Sequence, residues 1–141
     1  MSTFILGFAV GGIVFTGIVV RVRPRKMFGI TRSPLGLDET VAPLEQGVAA
    51  TDGWNSPGTR DLKGMMAKHG VEFPKRVKLV EMCNPNYANE VLTDARFVAT
   101  LMPCAVAVYE DDAGRVFMSK MNTGYMGKMF GGTIARVMGH K

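Results

Sequence analysis

The sequence predicts an α+β domain, a small mixed sheet with helices packed on one face, preceded by a single transmembrane helix. Three observations lead there. Thr3 to Val20 reads TFILGFAVGGIVFTGIVV, 18 residues without a charge. Cys104–Tyr109 and Arg115–Met121 read as two strands joined by the turn Glu110–Gly114. Elsewhere apolar residues recur at helical spacing, as in Met126, Met129, Phe130, Ile134 and Val137.

The uncharged run, with its flanks, is long enough as a helix to cross roughly 30 Å of hydrocarbon. A helix satisfies its own backbone groups there despite Gly7, Gly11, Gly12 and Gly17. A cleaved signal peptide would open on basic residues and close on a small-residue cleavage site. Here Met1-Ser2 opens the chain and VVRVRPRK closes the run. Residues 1–20 are therefore read as an uncleaved membrane span and 21–28 as a basic juxtamembrane linker. Arg21, Arg23, Arg25 and Lys26 follow the span and no basic residue precedes it. The positive-inside rule then sets the domain on the cytoplasmic side, with these four cations against lipid headgroups. Gly7 and Gly11 form a G-x-x-x-G, and Gly12 with Thr16 repeats the spacing. Close backbone packing along such a groove favours a partner helix.

A chain of 141 residues leaves room for one compact domain after the span. The net charge of +5 would suggest nucleic acid if it were spread over that domain. It is not. Residues 21–32 hold five cations (Arg21, Arg23, Arg25, Lys26, Arg32) and no acid, which leaves 12 basic against 12 acidic residues elsewhere. The surplus belongs to a membrane surface, and nucleic acid is not an expected partner. Cys83 and Cys104 are the only cysteines, form no C-x-x-C, and lie far in sequence from His140 and out of ligand spacing with His69. No metal site or cofactor is expected from them, and in the cytoplasm both thiols would be reduced.

Along the chain, Phe28–Thr31 suggests a first strand. Asp38 or Thr40 can cap a helix that carries Val41, Leu44 and Val48 on one face, with Pro43 near its first turn. Thr59–His69 reads as a second helix stopped by Gly70. Val77–Cys83 alternates as a half-buried strand. Asn84-Pro85 then starts a helix that runs to about Leu92. After the hairpin, one last helix is expected from Tyr125 to about Met138.

The strings CNPNYANEVL and LMPCAVAVYEDDAGRVFMSKMN, with LDETVAPLEQGVAATDGW and LKGMMAKHG upstream, resemble the bacterial and archaeal family catalogued as domain of unknown function 302. The resemblance covers roughly residues 29–131 and implies an α+β domain that tends to self-associate, with no established catalytic activity. Residues 132–141 are left as a C-terminal tail. The span lies outside the family's usual domain, so this member is expected at the bacterial inner (cytoplasmic) membrane.

Three functional readings follow. The thiols could act as a redox pair or sulfur carrier: Cys83 precedes the Pro85 helix, whose N-terminus would favour a thiolate, and Cys104 opens a neighbouring strand. The bland alternative is two small buried hydrophobes. Met118, Met121, Met126 and Met129 could hold a soft metal, although the same residues make an ordinary apolar core. The sequence shows no carboxylate pair, nucleophile elbow or phosphate loop, so no catalytic residue is assigned. The expected role is a non-catalytic accessory or assembly subunit of a membrane complex. Its partners would be lipid, other subunits and possible further copies of itself.

Overall fold

A computed structural model describes residues 26–139. The expected membrane span, with Gly7, Gly11, Gly12 and Thr16, and the linker cations Arg21, Arg23 and Arg25 lie outside the described residues. Among the described residues no helix is long and apolar enough to cross a membrane.

The order of elements is β1 (Phe28–Arg32), α1 (Leu37–Ala50), β2 (Thr59–Asp61), α2 (Leu62–Ala67), β3 (Val77–Met82), α3 (Pro85–Asp94), a 3₁₀ segment (Arg96–Leu101), β4 (Cys104–Glu110), β5 (Val116–Met121), α4 (Thr123–Phe130) and α5 (Gly132–Met138). The five strands form one sheet in the order β1-β5-β4-β3-β2. Every pairing is antiparallel, which corrects the expected mixed sheet. The pairing of β1 with β5 joins chain segments about ninety residues apart, from Arg32 with Phe117 to Phe28 with Met121. No local pattern announces it.

Because β1 and β2 occupy opposite edges, the chain between them must cross the sheet. Helix α1 makes that crossing. Its 14 residues rise about 21 Å, close to the roughly 19 Å spanned by four inter-strand spacings. Its cap is Gly36, not Asp38 or Thr40: the Glu39 carboxylate accepts the Gly36 N–H at 2.7 Å. Pro43 lies within the helix, beyond the first turn. A short polar chain fixes the corner before it. Ser33 Oγ accepts from Leu35 N–H and shares a 2.7 Å bond with Thr40 Oγ1, while Thr40 donates to the Gly36 carbonyl.

Strand alternation sends Val80, Val106, Val108, Val116 and Met118 to one face, where α1 lies. Leu37 and Val41 pack there on Val80, Val108 and Val116, with Leu44 and Met118 at the margin. Val80 and Val108 are fully buried, each contributing about 1.5–3 kcal/mol. The other face carries Val77, Leu79, Ala105, Ala107, Tyr109 and Phe117, none of which joins a buried cluster. A second core joins α3, the 3₁₀ segment and α5 through Val91, Ala95, Val98 and Ile134.

Two expectations fail locally. The helix predicted from Thr59 to His69 is a three-residue strand followed by a six-residue helix, because Asp61 caps the Gly64 N–H at 3.0 Å. The predicted terminal helix breaks at Gly131 and Gly132, whose φ values of 69° and 54° suit glycine. Residues 132–138 are consequently α5 with Ile134 buried, and the domain extends past 131 into the stretch expected as a tail.

Candidate functional site

The two strand ends that carry the cysteines lie side by side in the fold. Cys104 begins β4 directly opposite Met82, the last residue of β3, and Cys83 is the next residue along. Cys83 is further held by paired backbone bonds with Asn55, both 2.8 Å. Pleating directs Met82 and Cys104 to the α1 face and Cys83, one residue on, to the other. Both thiols are free.

The surroundings of Cys104 do not favour ionisation. Cys104 keeps an open edge, yet burial of its sulfur pushes the thiol above its ordinary value, and a charge on Cys83 would push it further the same way. The amides expected to stabilise a Cys83 thiolate are engaged elsewhere. The Asn84 side-chain oxygen accepts the N–H groups of Asn86 and Tyr87, which form the first turn of α3.

Beside Met82 an apolar groove of about 350 Å³ runs along the C-terminal half of α1, lined by Leu44, Gly47, Val48, Thr51 and Trp54. Trp54 is braced edge-on against Tyr87, ring centroids 6.3 Å apart. The Thr51 hydroxyl already donates to the Gly47 carbonyl at 2.7 Å. Such a groove can take an apolar side chain; it brings no titratable group to bear on a ligand. Sequence reading missed it, although a lone tryptophan after the small residues of Gly47–Ala50 was a usable sign.

The four methionines sit in different surroundings. Met118 packs on the α1 core, Met121 lies on the opposite sheet face, Met126 is buried and Met129 is 60% exposed. Among the described residues no three His, Cys, Asp or Glu side chains come close enough to hold a metal ion. His69 is exposed just after α2. Lys26 is exposed, and its carbonyl accepts a bond from the Asn122 side chain.

Charged groups elsewhere serve the fold. Asp38, in the first turn of α1, binds Arg76 at 2.7 Å and Lys78 at 2.9 Å, tying helix to sheet. Hydrogen bonds from Lys78 and then Arg76 lower its carboxyl to about 2. Glu81 is buried on the face away from α1 and pairs with Arg60.

The family described as domain of unknown function DUF302 matches residues 30–137, well over half of the chain. The chain belongs to that family. The match runs through α5, in agreement with the buried Ile134. Among solved structures, an uncharacterized conserved DUF302 protein from Bacillus stearothermophilus superposes with a TM-score of 0.67 at 20% identity. That likeness covers 79% of this chain and 87% of the other, and it speaks for the fold alone. No curated protein matches this DUF302 chain.

Proposed function

We propose that this DUF302 protein is a single-pass, membrane-anchored accessory or assembly subunit of a larger membrane complex, with its domain on the cytoplasmic side. The uncharged run Thr3–Val20 followed by four cations carries the reading, being long enough to span and flanked as a cytoplasm-facing domain requires. Strand β1 begins two positions after Lys26, so the domain would sit against the bilayer without a long linker. The groove at Trp54 and the half-buried sheet face away from α1 are surfaces that subunits could use. The groove at Trp54 is lined without a titratable side chain, which suits docking better than catalysis there.

Three measurements test it. Alkaline carbonate should leave the protein in the membrane pellet. A C-terminal reporter active only outside the cytoplasm should stay silent. Gentle extraction from native membranes should bring other chains along, and Gly7→Leu or Gly11→Leu should lose them while membrane attachment persists. Release by carbonate, or isolation without any partner, would sink the proposal. The reading as a thiol protein handling sulfur or electrons draws support from the adjacent ends of β3 and β4, but the raised Cys104 thiol weighs against it.

A further inference from the structure

All twelve acidic residues fall between Asp38 and Asp112. Residues 1–32 carry five cations and no acid, and residues 113–141 carry five more (Arg115, Lys120, Lys128, Arg136, Lys141), again with no acid. The fold joins these two acid-free stretches. β1 pairs with β5 along its whole length. Asn122, which caps α4, donates its backbone N–H to Met27 at 2.7 Å and its side-chain amide to Lys26 at 3.2 Å. Helix α4 therefore starts where the chain arrives from the proposed anchor. Eight residues later, about 12 Å along, α4 ends in Met129 and Phe130.

That end is apolar and open. Met129 is 60% exposed, Phe130 41% and Phe97, from the 3₁₀ segment, 67%. The rings of Phe97 and Phe130 lie 6.1 Å apart, so two elements contribute to one patch. Each aromatic residue has an exposed cation close by in sequence, Arg96 next to Phe97 and Lys128 two residues before Phe130. Neither cation forms an ion pair among the described residues. Apolar side chains flanked by unpaired cations suit the headgroup boundary of an anionic bilayer. A second copy fits less well. A two-fold contact through this patch would bring Arg96 and Lys128 of the two copies near one another, and the one carboxylate close by in sequence, Asp94, is already bound by Thr133.

We propose that Phe97, Met129 and Phe130, flanked by Arg96 and Lys128, form a second membrane contact that seats the domain on anionic lipid beside its anchor. The proposal rests on the membrane-anchored reading, and its test separates the two. Full-length protein carrying Met129→Trp, and independently Phe97→Trp, is reconstituted into phosphatidylcholine–phosphatidylglycerol vesicles with or without acyl-chain bromine. Against the constant emission of Trp54, bromine should quench both new tryptophans, and quenching should fall in phosphatidylcholine alone. Equal emission with and without bromine overturns the contact. A shift to shorter wavelength without bromine quenching also overturns it, in favour of burial against protein. Both substituted positions are largely exposed, and a far-ultraviolet dichroism spectrum matching the parent confirms the fold. Carbonate extraction decides the anchor separately. If the protein is released, the same vesicles added from outside still test the patch, with quenching supporting the contact and its absence overturning it.

Discussion

Replacing Arg60 by methionine removes the one ion-pair partner that Glu81 has among the described residues. The Glu81 side chain is only 9% exposed, whereas that of Arg60 is 52% exposed. A fully buried carboxylate stripped of its partner costs about 3–5 kcal/mol. Here the opening that exposes Arg60 lets water replace part of the lost interaction, so about 2 kcal/mol is expected. For a domain of this size that is a fall in Tm of roughly 8 °C. Thermal unfolding of the full chain in detergent, followed by circular dichroism, measures it. Glu81→Gln in the Arg60→Met background should recover most of the loss, because a neutral amide is easier to leave unpaired than a charge. Arg76→Met supplies the contrast, since Asp38 and Arg76 are both open to water and solvent screens such a pair. If Arg60→Met shifts Tm no more than Arg76→Met does, burial of Glu81 is not what makes its partner matter.

Val108→Ala should destabilise by about 2–3 kcal/mol, roughly two methylenes of transfer plus an unfilled cavity under α1, read from the same unfolding curves. Asp38 has its folded pKa lowered from 3.8 to about 2, so the stability it adds is complete above pH 4 and disappears as pH falls through 2. Asp38→Asn should therefore lower Tm at pH 7 and have a progressively smaller effect as pH falls towards 2 and below. Cys104 should alkylate more slowly at neutral pH than a free thiol, with a rate still rising above pH 9, because burial raises its thiol. Fast labelling at pH 7 would revive the redox reading.

The hairpin of β4 and β5 was legible because its chemistry is local. The Asp111 carboxylate accepts the N–H groups of Ala113 and Arg115, and Gly114 takes a φ of 74°. The start of α3 was legible for the same reason, in Asn84-Pro85. β2 was not. Thr59-Arg60-Asp61 has no alternating apolar pattern, and its strand character comes from pairing with Val80, Leu79 and Lys78 of β3. The break before α5 was hidden because apolar spacing runs on through Gly131 and Gly132, although only their backbone freedom mattered. For the candidate site, the proximity of Cys83 and Cys104 followed from two strand ends in one small sheet. Their opposite orientation depends on the register of Met82 with Cys104, which no single segment contains.

Strand β1 has a mechanical consequence. Whatever precedes Lys26 enters the domain through this strand, and all five of its residues are exposed. α4 leaves β5 at the same end of the ladder at which β1 begins, near Phe28 and Met121. Tension between the incoming segment and α4 would load the pairs singly, as a zipper is opened, and not all at once in shear. Peeling would stop at the next hold, where Ser33 donates its N–H to the Val116 carbonyl and shares its hydroxyl with Thr40. We expect β1 to act as a compliant outer strand that lengthens under load while Val80 and Val108 stay covered. Pulling single molecules between the N-terminus and α4 should then show a first low-force extension of β1 alone; rupture of the whole sheet in one step would exclude it.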